Sequence, residues 1–310
     1  MNIPEGFSIS KLLATDSITR FHKIQMLHED TIILWVQVRS GDGILYTHDR
    51  GKSWAGRKIK LGRKYYYQTS NMHFLNSQVG VITSHHDPKL LRTEDSGKTW
   101  DTIKVPENTG IIDYLQKDQS GNLYAIIRNT SFNNPNLIKS TDQGIKWDTI
   151  IENCGWELKI FENKLFVLND QNLISKFDLQ GNLLSSFTFS NPNESAIRDW
   201  FIADEQNIMI SRGNSTFTTS DGGSTWTRVL DQACQIVDFS TDNKAFVLIN
   251  RFCLESDYGV DYSTFAYTED GGETWNKGEE FAGTYLGDKQ KLGANKYLTS
   301  LGDNLFEITK

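Results

Sequence analysis

Apolar and polar positions alternate along almost the whole chain in short runs. Segments of β-branched and aromatic residues are broken by Gly, Asn and Asp, the pattern of short strands and turns. No window carries the 3.6-residue apolar period of an amphipathic helix. The stretch from Asn71 to Val105 displays the unit: "NMHFLN" predicts a first strand, "VGVITSH" a second, "KLLRTED" a third and "WDTIKV" a fourth.

The turn between the third and fourth predicted strands recurs. Thr47 to Trp54, Thr93 to Trp100, Ser140 to Trp147, Thr219 to Trp226 and Thr268 to Trp275 all fit [ST]-x-D-x-G-x-x-W. Their aspartates are Asp49, Asp95, Asp142, Asp221 and Asp270, so successive gaps are 46, 47, 79 and 49 residues. Inside the long gap, Ser175 to Asn182 ("SKFDLQGN") reads as a degraded copy. A fixed period in this range marks a repeat architecture. Each conserved feature of the motif has a physical use. The Asp accepts backbone N–H bonds that close the turn, the Gly supplies a positive φ, and Trp54, Trp100, Trp147, Trp226 and Trp275 bury large rings while their indole N–H groups seek carbonyls. One carboxylate per loop is far from the roughly six to eight oxygens that calcium requires, so the turns are structural.

Four strands per period of about 45 residues predict propeller blades. The template places them near 21–59, 71–105, 112–151, 157–189, 198–230 and 236–281. Residues 284–310 supply three more strands, and "GFSISKLL" at 6–13 is available as the fourth, which would remove an open sheet edge. The expectation is an all-β, seven-bladed β-propeller forming one domain over residues 1–310, with six or eight blades as the alternatives. The five turns resemble the Asp-box (BNR) repeats of sialidase-like and photosystem II assembly factor-like propellers and of sortilin-type ectodomains. The resemblance spans essentially the whole chain. It implies a fold rather than a task, since such propellers include hydrolases, receptors and assembly factors.

Composition narrows the partners. The 310 residues carry a net charge of −7, which argues against nucleic acid, whose phosphates call for a basic surface. No apolar run is long enough to span a membrane. No positively charged and then apolar leader opens the chain, so the expectation is a cytoplasmic monomer. Three cysteines at irregular spacing (Cys154, Cys234 and Cys253) make neither a disulfide framework nor a metal site, and no cofactor is expected.

In propellers of this kind, the loops joining second to third strands and those joining successive blades share one face. Predicted second strands end in Arg39, Arg128, Arg212 and Arg251, with His85 at the same point in the second repeat and Asn169-Asp170 departing in the fourth. Neighbouring loops add Arg63, Tyr66, Arg198, Trp156 and Trp200. The longest predicted second-to-third loop, 250–264, adds Tyr258 beside Glu255 and Asp257. Together these predict a basic, aromatic-rimmed face that would attract an anionic protein partner through arginine forks. The competing reading ties each Arg to its own loop backbone. "SHHDPK" at 84–89 is a poor zinc site, because adjacent residues of an extended chain point to opposite sides. A glycosidase would need two carboxyl groups across a sugar, with Asp87, Asp199, Glu255 and Asp257 as the suppliers. The "RIP" segment that accompanies sialidase arginines is missing, so a non-catalytic binding propeller is the expected function.

Overall fold

The computed structural model describes residues 4–14, 18–38, 41–59, 71–83, 90–106, 110–129, 135–189, 196–253, 260–282, 286–293, 296–301 and 304–310. Among them the regular structure is entirely β, in seven antiparallel sheets that make a seven-bladed β-propeller. Blade 1 takes Ile18–His28, Thr31–Val38, Gly41–Thr47 and Ala55–Lys58, and blade 2 takes Met72–Phe74, Gly80–Thr83, Leu90–Thr93 and Asp101–Ile103. Blade 3 is Gly110–Lys117, Leu123–Asn129, Asn136–Ser140 and Asp148–Ile151. Blade 4 is Glu157–Phe161, Lys164–Leu168, Leu173–Asp178 and Leu183–Thr188. Blade 5 is Ile197–Ile202, Ile208–Arg212, Ser215–Thr219 and Thr227–Leu230. Blade 6 is Cys234–Phe239, Ala245–Cys253, Val260–Thr268 and Asn276–Lys277, with Phe281–Ala282 also pairing on its third strand. Blade 7 is Leu286–Gly293, Lys296–Leu301 and Asn304–Thr309, and Ser8–Ala14 pairs antiparallel with the last of these as its outermost strand. The N-terminal segment therefore completes the final blade, as its alternating "SISKLL" suggests.

The chain divides into two compact units, Ser17–Ser186 on one hand and Met1–Asp16 with Phe187–Lys310 on the other. Within each unit the first strands of successive blades lie against one another, and the core fills the space between neighbouring sheets. In the first unit Val81 and Leu90 of blade 2 pack on Ile112, Leu123, Ile127 and Ile138 of blade 3. In the second, Met209 of blade 5 packs on Ile236, Val247 and Ala266 of blade 6. Second strands such as Leu123–Asn129 and Ile208–Arg212 are buried on both faces, which explains their unbroken apolar runs.

The five repeated turns share one geometry. In the Thr93 turn, the Thr93 hydroxyl donates to Asp95 Oδ1 at 2.8 Å and accepts the backbone N–H groups of Asp95 and Gly97 at 3.2 and 2.9 Å. Asp95 in turn accepts the backbone N–H and hydroxyl of Thr99 at 2.9 and 2.7 Å. The Thr47, Thr219 and Thr268 turns repeat this network. The hydroxyl thus shares the hub role with the carboxylate. The residue before the motif Gly is left-handed as well: Arg50, Ser96 and Gln143 all have φ of 62°. The indole donates to the carbonyl of its own motif Gly in four turns, and Trp275 instead donates to Val229 in the preceding blade.

The Thr93 and Ser140 turns also clamp the blades before them. Arg57 Nη1 donates to the carbonyls of Asp95 and Ser96 at 3.1 and 3.0 Å, and Arg92 Nε to that of Gln143 at 2.8 Å. A Cβ on Gly144, whose φ is +87°, would stand 2.8 Å from Val81, so this glycine is required twice over. The degraded copy keeps the clamp without the motif. Lys139 Nζ donates to Leu179 O at 2.9 Å, and Asp178 closes an Asx turn on the N–H groups of Gln180 and Asn182.

The tryptophans are less uniformly buried than large anchors would be. Trp147 is 5% exposed, whereas Trp54, Trp100, Trp226 and Trp275 are half-buried. Trp147→Ala is expected to cost about 3–5 kcal/mol, the range for large core truncations, and Trp100→Ala measurably less; denaturant unfolding of both variants checks the ranking. The hydrogen bonds from Thr99 and Thr225 hold Asp95 and Asp221 down to about 2. A depressed folded-state pKa contributes stability that is present above the unfolded value near 3.9 and is lost as pH falls through the folded one. The melting temperature should therefore drop steeply between about pH 4 and pH 2, and Asp95→Asn should flatten that slope.

Candidate functional site

The second-to-third loops and the interblade crossovers do meet in each unit. In blade 2 the Thr83 N–H donates to Asn71 O at 2.8 Å, joining the end of a second strand to the residue before a first strand. At the junction of blades 3 and 4, Cys154 N–H donates to Pro135 O at 2.8 Å and Asn153 N–H to Asn136 Oδ1 at 3.0 Å. This pins the crossover to the start of the third strand of blade 3. Thr216 Oγ1 donates to Gln232 O at 2.9 Å between blades 5 and 6.

On that framework the blade 3–4 junction gathers a cluster of side chains. Arg128, next to last in its strand, donates through Nη2 to Asp113 Oδ2 at 2.5 Å, and the two side chains are only 14% and 9% exposed. The guanidinium carbon also lies 5.5 Å from the centre of the Trp156 ring, a cation–π contact with the crossover. Asp113 stands at a β-bulge in the first strand of blade 3, and the next residue, Tyr114, has φ of 52°. An aromatic residue in the left-handed region is strained, and such strain gathers at sites of function. The Tyr114 hydroxyl bonds Glu157, and burial, followed by the charges of Glu157 and Asp113, pushes its pKa above the usual phenol range.

The other predicted residues disperse. Arg212 is 2% exposed, donates to Phe189 O at 3.3 Å and lies 5.0 Å over the Phe189 ring. It is a buried tether of the crossover that precedes blade 5, and the expected place at a rim is corrected. Trp200 is likewise corrected: it is 1% exposed and belongs to the core, because its position in the first strand points between sheets. Arg198, in the same strand, is exposed. Arg251 pairs with Tyr262 across blade 6, its side chain lying outside the described residues. Arg39, Arg63, Tyr66, His85 and Tyr258 also lie outside the described residues, as do the 84–89 segment, Asp87, Glu255 and Asp257. The expected long loop at 250–264 is mostly strand. Ala245–Cys253 and Val260–Thr268 pair as far as Cys253 and Val260, driven by the β-branched and aromatic content of both.

Reading from sequence named Asp199 but missed Asp113 and Asp238 in other first strands. In the second unit, Asp199 Oδ2 accepts Lys289 Nζ at 2.5 Å and Ile236 N–H at 2.8 Å. Asp238 accepts Lys291 Nζ and the Tyr297 hydroxyl, each at 2.8 Å. A carboxylate inside an otherwise apolar first strand, as in "IIDYL" or "QIVDF", was the available signal. Each of Asp113, Asp199 and Asp238 faces a cation, respectively Arg128, Lys289 and Lys291. Burial pushes the Cys154 and Cys234 thiols up to about 12, so neither is a ready nucleophile. No group of three metal-ligating side chains occurs among the described residues.

The chain is similar in fold to several solved structures. It resembles YCF48 from Cyanidioschyzon merolae at a TM-score of 0.66 and 15% identity, over 97% of this chain and 98% of that one. A structure described as YCF48 bound to D1 peptide matches at 0.65 and 13% identity, over 99% and 97%. The GH74 xyloglucanase from Xanthomonas campestris matches at 0.63 and 10% identity, over 96% of this chain and 53% of that one. No curated protein matches the sequence. Residues 42–210, more than half of the chain and inclusive of three of the five repeated turns, match the model described as Sortilin, neurotensin receptor 3, and the chain belongs to this Sortilin-Vps10 family.

Proposed function

We propose that the protein is a non-catalytic binding propeller whose second-to-third loop face holds an acidic segment of a protein partner, with Arg128 as its anchor. The observation that carries this reading is the fixing of Arg128 by side chains, Asp113 on one side and Trp156 on the other. Arg212, in contrast, bonds a backbone carbonyl of its own crossover. A guanidinium oriented in advance loses little freedom on meeting a carboxylate, and its planar fork can serve more than one acceptor. The Trp156 ring would give an adjoining peptide an apolar surface beside the charge. That one propeller of similar fold is known with a peptide bound supports a peptide-sized ligand here. The chemistry fits an assembly factor or a neutraliser of an effector or toxin, acting as a monomeric scaffold.

The competing reading is a glycoside hydrolase, favoured by the fold shared with the GH74 xyloglucanase. It would draw on Asp113 and Glu157, the carboxylates beside Arg128 and Tyr114. Fluorogenic glucosides and sialosides decide between the two. Turnover abolished by Asp113→Asn would establish the hydrolase and sink the binding proposal.

The binding reading is tested by capture from a lysate of the native organism with Arg128→Lys, which keeps the charge and loses the fork. Loss of a partner by tenfold or more, with a melting temperature within a few degrees of the parent, is the expected result. Capture unchanged in this variant would overturn the anchor role of Arg128. Arg212→Glu should behave in the opposite way, lowering the melting temperature strongly, because it places an unpaired charge in a buried site.

A further inference from the structure

Three turns of the first unit receive a side chain from the blade before them, and each time it is a cation. Arg57, three residues after Trp54, reaches the carbonyls of Asp95 and Ser96. Arg92 and Lys139 stand immediately before Thr93 and Ser140, and they reach the carbonyls of Gln143 and Leu179. In the second unit, an aromatic ring covers the turn of blade 5 instead. A Cβ on Gly223 would stand 2.3 Å from Phe187, whose ring centre lies 6.4 Å from that of Trp226.

The turn of blade 6 has neither. Three residues after Trp226 stands Val229, and before Thr219 stands Thr218, so both cation positions of blade 5 hold short, uncharged side chains. Trp275 gives its indole N–H to Val229 O rather than to the carbonyl of Gly272. What remains between the two blades is a groove of about 340 Å³, at the small end of ligand sites of roughly 300–1,000 Å³. Blade 6 lines it with Asp270, Gly271, Gly272 and the exposed Glu273, and blade 5 with Thr218 and Thr227. Gly272 is half-buried there, whereas Gly97, Gly144 and Gly223 are buried. Arg228 also lines the groove, and its Nε is held by Asp231 Oδ1 at 3.1 Å. The carbonyls of Asp270 and Gly271 correspond to the pair that Arg57 grips in blade 2. Among the described residues, no side chain of blade 5 donates to them.

We infer that this groove binds the guanidinium group of an arginine supplied from outside the chain, in the place that Arg57 and Arg92 take on the turns of the first unit. Carbonyl oxygens only accept, and a cationic donor makes the bond charge-assisted. A guanidinium offers five N–H groups in a planar fork, enough for two carbonyls and the threonine hydroxyls together. The carboxylates of Asp270 and Glu273 outnumber the Arg228 cation, and the net charge of −7 draws cations toward the chain. Asp270 and Glu273 are exposed, so the attraction is screened and the affinity is millimolar. A free guanidinium compound and an arginine side chain of another protein share this chemistry. The groove is built from third-to-fourth turns and does not draw on Arg128.

Proton–nitrogen correlation NMR of the full chain, titrated with L-argininamide, tests it. The amides of Gly271, Gly272 and Thr218 should shift and saturate, while those of Gly97 and Gly144, whose turns are already clamped, should stay in place. L-citrullinamide, the uncharged urea counterpart, should bind at least tenfold more weakly. Thr218→Arg should supply the cation from within, as Arg92 does, raising the melting temperature and weakening argininamide tenfold or more. Glu273→Lys, at an exposed position, should weaken it severalfold at the parent melting temperature, which keeps the test independent of how Thr218→Arg folds. No saturable shift at the groove overturns the inference, as does equal binding of citrullinamide. Unchanged argininamide affinity in either folded variant overturns it too. A capped pentapeptide with one central arginine separates the two sources. Shifts of the same amides at equal or better affinity assign a protein side chain, and exclusion of the peptide while argininamide binds assigns a free molecule.

Discussion

A single hydroxyl and a single carboxylate, two residues apart, organise every intact repeated turn, and most of the molecule depends on them. The Ser or Thr hydroxyl gathers the N–H of the motif Gly, and the Asp gathers the N–H four residues on. Backbone donors that would otherwise be buried without partners are satisfied inside eight residues. The chain can then run through two successive left-handed residues, a conformation that it would avoid if unsupported. The turn built this way presents carbonyls outward, and cations of the preceding blade grip them.

That arrangement separates scaffold from site. The turns join third to fourth strands, whereas Arg128, Trp156 and the crossover residues lie where second strands and first strands meet. Antiparallel strands put these two sets of connections at opposite ends of each sheet. The turn network can therefore stay constant while the opposite loops vary.

Blade 4 is where both themes diverge from the rule. It lacks the intact turn, keeps only an Asx closure at Asp178, and ends in an uncharged strand. On its other side it supplies Trp156 and Glu157 to the cluster around Arg128. The blade with the least regular sequence is thus adjacent to the most strained backbone, that of Tyr114.

The architecture was legible in the sequence because its determinants are local. Hydroxyl, Asp, Gly and Trp act within eight residues, and their spacing sets the blade period; even the completion of blade 7 by residues 8–14 follows from counting strands. The fates of the arginines were not legible. Arg128 and Arg212 close similar runs, "YAIIR" and "IMISR", yet one meets Asp113 and Trp156 and the other meets Phe189 O. Their partners lie 15 to 28 residues away in sequence, on other strands and crossovers, so only packing decides which group each guanidinium reaches. The same holds for Asp199 and Asp238, whose lysines lie 90 and 53 residues further along the chain. The sequence by itself determined the turn chemistry, the strand pattern and the blade count, because those rest on neighbours along the chain. Only the tertiary structure decided which charges are tethers and which form a site, because that depends on neighbours across sheets.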